Sequence, residues 1–238
     1  MARWGRALSL LRRDVLRGSR VLDLGCAFGY GTARIARYYN TDGLDASPDY
    51  IRRARRSRSN ARFMLGHAER LPYPDDHFDA VVLLDVLEHV TDEQAVVTEI
   101  ARVLRPGGLL IVSVPHTGAL RWADSLNVYA WLTGEDALAA PGTPASGRDH
   151  HRHYSIGALR LLFGDRFTDS YTHTSGLGLA EFVNLVLLLL CKRLLRAAPL
   201  YNVLQYLYFG LYIVEDLLPV PRAGYHLMVV MRRRIAPL

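Results

Sequence analysis

Val21-Leu-Asp-Leu-Gly-Cys-Ala-Phe-Gly-Tyr-Gly31 decides how this chain is read. The short apolar run Arg20-Val-Leu-Asp-Leu24 ends at a cluster of glycines, and helical spacing resumes over Thr32 to Tyr39. The pattern is a strand, a tight turn and the mouth of a helix. Glycine at such a turn lacks the Cβ that would block a ligand and permits unusual dihedrals, so main-chain amides can face a bound group. The spacing is neither the GxGxxG of dinucleotide dehydrogenases nor a phosphate loop with Lys-Ser/Thr, which lowers both readings.

Outward from that turn, strand and helix signals alternate to residue 114. Thr41 to Asp45 is strand-like, Ser47-Pro48 is a cap and a proline at a helix start, and Arg62 to Gly66 and Phe78 to Leu84 are further strands. Thr91 to Leu104 has helical spacing, and Pro106-Gly-Gly108 turns into the apolar run Leu109 to Val114. Near-continuous apolar strands separated by helices argue a parallel sheet covered on both faces. Asp45 ends the second strand about twenty residues after the turn, where a carboxylate can accept both hydroxyls of a ribose; alone it would read as a cap or turn residue.

The 238 residues are 50 % hydrophobic and 22 % charged, which excludes a disordered chain and suits one domain. The net charge of +6 is matched by Arg52, Arg53, Arg55, Arg56, Arg58 and Arg62, with no acid among them. A solvated helix face explains that run better than nucleic-acid binding, since no aromatic interleaving accompanies it. Lys192 is the only lysine. Cys26 and Cys191 offer neither a disulfide framework nor a CxxC metal site, and the arginine-rich N-terminus lacks the apolar core of a secretory signal. The expectation is a cytoplasmic protein.

Two segments depart from the regular pattern. Residues 115–153 contain a helical stretch, Leu120 to Leu132, and then collect Gly, Pro, Ser and Asp, reading as a lid or acceptor region. After a helix from Ser155 to Phe163 and a strand from Phe167 to His173, residues 176–221 are leucine- and tyrosine-rich. Glu181, Asn184 and Gln205 interrupt the apolar runs, so a pair of buried or interfacial helices fits better than a transmembrane hairpin. Tyrosines and arginines beside leucine runs suit a headgroup boundary on the inner face of a membrane. A hairpin packed on its own domain, or an interface between two copies, is the alternative.

The first half of the chain resembles the class I S-adenosylmethionine-dependent methyltransferases, in particular the type 11 group that includes ubiquinone and menaquinone biosynthesis enzymes. The resemblance rests on Val21 to Gly29, Gly43-Leu-Asp-Ala-Ser47, Gly66-His-Ala-Glu-Arg-Leu-Pro-Tyr-Pro-Asp75, Phe78 to Val90 and Leu104-Arg-Pro-Gly-Gly108, in the family's order and spacing. It implies an α/β fold: a Rossmann-like, doubly wound, mostly parallel seven-stranded sheet, here with a hydrophobic helical insertion before the last strand, as a single domain over residues 1–238. It implies S-adenosyl-L-methionine as cofactor, with Asp23, Gly25, Cys26, Ala27 and Gly29 around its methionine part. Asp45 and Ala46 would lie at the ribose, His67, Ala68 and Glu69 beside the adenine, and Leu84 and Asp85 facing the reaction centre. Ala27 stands where the family often has glycine, and His67 where it usually has an aspartate.

On the acceptor side, His89, His116 and His151 are the candidate bases. Asp85, Glu88 and His89 match places associated with a divalent cation in quinone-type O-methyltransferases, which leaves metal use open. Asp149-His-His-Arg-His-Tyr-Ser155 either contacts an anionic or hydroxylated acceptor or is a solvated loop whose Ser155 caps the next helix. The leading expectation is O-methylation of a small-molecule or lipid-linked acceptor. A non-catalytic binding or assembly protein and an RNA methyltransferase are the alternatives.

Overall fold

The computed structural model describes residues 2–118, 121, 124–134, 152–217, 220 and 224–235. Seven strands form one sheet in the order β3-β2-β1-β4-β5-β7-β6: β1 (Arg20–Leu24), β2 (Asn40–Asp45), β3 (Arg62–Leu65), β4 (Phe78–Leu84), β5 (Leu104–Pro115), β6 (Phe167–Ser175) and β7 (His226–Arg233). The pairings among β1 to β5 are parallel, and β7 runs antiparallel to both β5 and β6. The doubly wound, mostly parallel sheet expected from the sequence is therefore present.

Side-chain alternation explains why these segments are strands buried on both faces. Leu22, Leu24, Val81, Leu83, Leu110 and Val112 enter one core with helices α4 (Glu93–Val103) and α6 (Ile156–Phe163). Their neighbours Val21, Ala80, Val82, Leu109 and Ile111 enter the opposite core with α1 (Ala2–Asp14) and α2 (Tyr30–Ile35). Each fully buried leucine or valine contributes roughly 1.5–3 kcal/mol of apolar transfer, so neither face tolerates a register slip. Capping fixes the helix starts: the Ser47 side chain accepts from Tyr50 N before α3 (Pro48–Ala54), and Asp92 from Ala95 N before α4.

Several expectations change. The arginine run is not one helical face, because α3 ends at Ala54 and Arg55 is its cap, donating through Nε to the Phe63 carbonyl. Arg52 pairs with Asp49, and the Arg53 guanidinium lies over the Phe28 ring at 4.3 Å. The N-terminal arginine-rich segment forms the amphipathic helix α1. In the segment 115–153, expected as a lid, α5 spans Ser125–Thr133, and residues 135–151, His151 among them, lie outside the described residues.

The 176–221 insertion is a helical hairpin. Helix α7 (Leu179–Leu187) runs into a π-helical stretch (Leu188–Leu194), and α8 (Ala198–Leu217) returns beside it. Near the end of α8, Glu215 closes the hairpin by accepting from Leu179 N at 2.8 Å and Ala180 N at 2.9 Å, which satisfies two orphan amides at the start of α7. Among the described residues no helix is long and apolar enough to cross a membrane.

Candidate functional site

Strand order places the site. β1 connects through α2 to β2 on one side, while β4 lies on its other side, so a crevice opens beyond the carboxyl ends of β1 and β4. Asp23 and Gly25 stand there at the end of β1, Asp45 and Ala46 at the end of β2, His67 just after β3, and Leu84 and Asp85 at the end of β4.

The Asp45 carboxylate organises the glycine turn. Its Oδ2 accepts from Ala27 N and its Oδ1 from Ser47 N, each at 2.8 Å. Each oxygen keeps lone-pair capacity for a hydroxyl donor. Ala27 sits at φ +45° and Asp85 at φ +56°, in the left-handed region that disfavours side chains by about 1 kcal/mol or more, so backbone strain gathers at this edge. The glycines adopt the unusual dihedrals the sequence suggested, and packing adds a second demand. A Cβ on Gly25 would stand 2.0 Å from the Val86 side chain, and one on Gly29 2.6 Å from the Phe63 ring; both residues have positive φ. Glycine is demanded here by backbone conformation and by packing.

Asp23 is the most unusual group at this edge. It is 1 % exposed, its Oδ2 accepts from Thr32 Oγ1 at 2.5 Å, and its Oδ1 is buried with no hydrogen-bond partner. Desolvation pushes its pKa up to about 7, against the lowering effect of the Thr32 hydrogen bond, with the nearby Asp45 charge adding to the rise. Burial likewise raises the Cys26 thiol, which leaves it protonated and unreactive.

Beyond Asp85 lies a cavity of about 740 Å³, within the range of small-molecule sites. Phe28, Tyr50 and Arg53 line its end beside the glycine turn, Asp85, Glu88 and Pro115 its floor, and α7 and α8 its roof, through Glu181, Asn184, Tyr201, Tyr208 and Tyr212. The roof is polar on its inner side. Glu181 accepts from Ser125 Oγ at 2.6 Å and from Tyr208 OH at 3.2 Å, Asn184 donates to Ser125 Oγ at 2.8 Å, and Tyr201 OH donates to Asn184 Oδ1 at 2.9 Å. Three tyrosines expected at a headgroup boundary thus bond inward or line the cavity instead. Burial raises the Tyr208 and Tyr212 hydroxyls well above the usual phenol value, keeping them neutral.

Helix α1 ties roof to floor. Arg3 pairs with Asp85 at 2.5 Å, donates to Tyr212 OH and stacks over the Tyr212 ring at 4.9 Å. Tyr212 OH in turn lies 2.8 Å from His226 Nε2. Asp85 remains partly exposed, so water can replace much of the lost pair. Arg3→Ala is therefore expected to lower stability by about 1–2 kcal/mol. Its distinguishing effect is local: amide hydrogen exchange should speed up in α8 around Tyr208 to Tyr212 and stay unchanged in β4 and β5.

The sequence-predicted acceptor residues distribute unevenly. His89 is exposed on a short 3-10 turn (Leu87–His89), and His116 is buried with Nδ1 3.0 Å from the Gly224 carbonyl. Neither lines the cavity, whereas His226 does. Arg152 and Tyr154 serve structure by bonding the carbonyls of the 87–90 turn, and Ser155 caps α6 by accepting from Ala158 N. His67 is exposed and Ala68 buried, while Glu69 accepts from Thr91 N. Among the described residues no three His, Cys, Asp or Glu side chains gather as a metal site. His226, Tyr212 and Arg3 were not identified from sequence.

Residues 22–112 match the family model described as "Methyltransferase domain". A fatty-acid O-methyltransferase of Mycolicibacterium smegmatis is 39 % identical over 99 residues, which are 40 % of this chain and 36 % of that protein. The 2-methyl-6-phytyl-1,4-hydroquinone methyltransferase of Synechocystis sp. is 34 % identical over 118 residues, 48 % of this chain and 36 % of that protein. This chain thus spans about 36 % of the length of these two relatives. Among solved structures, an S-adenosylmethionine-dependent methyltransferase from Methanosarcina mazei superposes with a TM-score of 0.63 at 19 % identity, covering 95 % of this chain and 97 % of that one. At that identity the likeness is one of fold.

Proposed function

We propose that this chain, whose residues 22–112 match the methyltransferase-domain model, transfers a methyl group from S-adenosyl-L-methionine to the oxygen of a small-molecule or lipid-linked acceptor held beneath α7 and α8. The observation that carries the reading is Asp23: a carboxylate oxygen buried without a partner at the end of β1 calls for a cationic donor. The cofactor's α-ammonium is such a donor, and its two ribose hydroxyls suit the remaining lone pairs of Asp45. The bound cofactor supplies an activated sulfonium methyl.

The protein's work is alignment and exclusion of water. The α7–α8 roof covers the cavity, and its aromatic side chains receive an apolar body. Asp85 stands at the floor with Arg3 fixing its carboxylate, so it is a positioning group for the reacting end. A hydroxyl acceptor must lose its proton, and His226 is the imidazole on the cavity wall that can take it. The two relatives named above act, by their names, on a fatty acid and a phytyl hydroquinone, both largely apolar molecules.

Purified protein given methyl-labelled S-adenosylmethionine and a lipid extract should move label into the organic phase. His226→Gln should reduce turnover of a hydroxyl acceptor by about 100-fold or more without weakening cofactor binding. Cofactor binding without transfer to any apolar or soluble extract would favour the non-catalytic reading.

A further inference from the structure

Helix α8 is inside out. Tyr201, Tyr208, Tyr212 and Glu215 fall on one helical face and spend their polar atoms inward, on Asn184, Glu181, His226 and the start of α7. Val203, Tyr206, Leu207, Val214 and Leu217 recur at helical spacing on the opposite face, where Val203 is 65 %, Tyr206 73 % and Leu207 66 % exposed. Helix α7 repeats the inversion, with Glu181 and Asn184 buried and Phe182 and Val186 exposed. A surface helix in water shows the reverse arrangement, and a contiguous apolar face of this kind marks a contact with something apolar.

Charge selects the partner. From Phe182 to Val214 there is no Asp or Glu, while Arg193 and Arg196 stand exposed at the bend between the helices; Lys192 beside them turns inward to the cavity, its Nζ over the Tyr201 ring at 5.1 Å. A leucine-rich face edged by cations matches an anionic lipid surface, with the apolar stripe seated at the acyl boundary and the cations at the headgroups. A two-fold contact between copies would instead bring the same basic bend near itself.

We propose that the outer face of the α7–α8 hairpin docks on an anionic bilayer surface, and that the cavity opens onto that surface. Tyr206 and Phe209 both line the cavity and are exposed on the outer side of α8, so an apolar acceptor can pass from lipid into the site without crossing water. The docking stands apart from the methyltransferase reading; only the delivery of an acceptor rests on it.

Co-sedimentation of the full chain with phosphatidylcholine vesicles, with and without phosphatidylglycerol, tests it. Binding is expected to mixed vesicles and to weaken steeply without the anionic lipid. The arginine variant R193Q/R196Q should bind mixed vesicles about thirtyfold more weakly. Val203→Asp with Leu207→Asp, both outside the cavity wall, should abolish vesicle binding while circular dichroism, the thermal transition and S-adenosylmethionine affinity stay unchanged. Failure of the wild-type chain to bind mixed vesicles overturns the proposal. A dimer in light scattering that the double variant splits, with no vesicle binding, assigns the face to a second copy instead. Loss of cofactor affinity in a chain that still binds vesicles would count against the methyltransferase reading alone.

Discussion

Asp45→Ala is expected to weaken S-adenosylmethionine binding by at least about a hundredfold while the protein still folds. Two hydrogen bonds from hydroxyls to one carboxylate are worth about 1.5–3 kcal/mol each, so losing both removes about 3–6 kcal/mol of binding. The side chain also holds the glycine turn, through Ala27 N, and the start of α3, through Ser47 N. Ala27 is kept at positive φ beside that bond, so the free loop of the variant should relax as well. Asp45→Asn keeps one acceptor oxygen and should fall between the two. Calorimetric titration reads the affinities, and a retained far-UV spectrum separates lost binding from lost fold.

Asp23→Asn is expected to move stability and binding in opposite directions. The Asp23 pKa is raised from 3.8 to about 7, so between those values the folded protein holds a proton that the unfolded chain has released. Stability therefore falls as pH rises from about 4 to about 7 and is level above, a loss of about 4 kcal/mol at most. The amide variant has no such slope. It leaves a buried donor in the unpartnered corner at a cost of about 1–3 kcal/mol, so a net gain of about 2 kcal/mol is expected at pH 8. For a domain of this size that is a rise of about 4–8 °C in the melting temperature, reversing to a small loss near pH 5. Cofactor binding should drop by at least about thirtyfold, since a buried cation loses its counter-charge. In the wild type, affinity should fall as pH drops below about 7, with proton release on binding.

The parallel part of the fold was legible because burial on both faces writes itself as continuous apolar runs. Arg20–Leu24 and Phe78–Leu84 have the bounds the sequence suggests, whereas β5 begins at Leu104, before the turn-like Arg105-Pro-Gly-Gly108, since pairing to β4 continues across a register shift. The glycine-turn edge of the site was legible for a related reason: a glycine turn and a strand-ending aspartate are local signals. The roof was not. Arg3 and Tyr212 are separated by 209 positions, and only the tertiary fold brings them together with Asp85 and His226. Composition disclosed that 176–221 is leucine- and tyrosine-rich, yet not which tyrosines turn inward, because tyrosine suits an interface and a buried hydrogen bond alike.

The binding of S-adenosyl-L-methionine itself tests the central claim most directly, by calorimetric titration of the purified chain at pH 8. One saturable site is predicted, with a dissociation constant in the range of about 1 µM to 1 mM common for enzyme ligands, and lost in Asp45→Ala. A folded protein that gives no saturable binding, or binds equally well without the Asp45 carboxylate, would contradict the account.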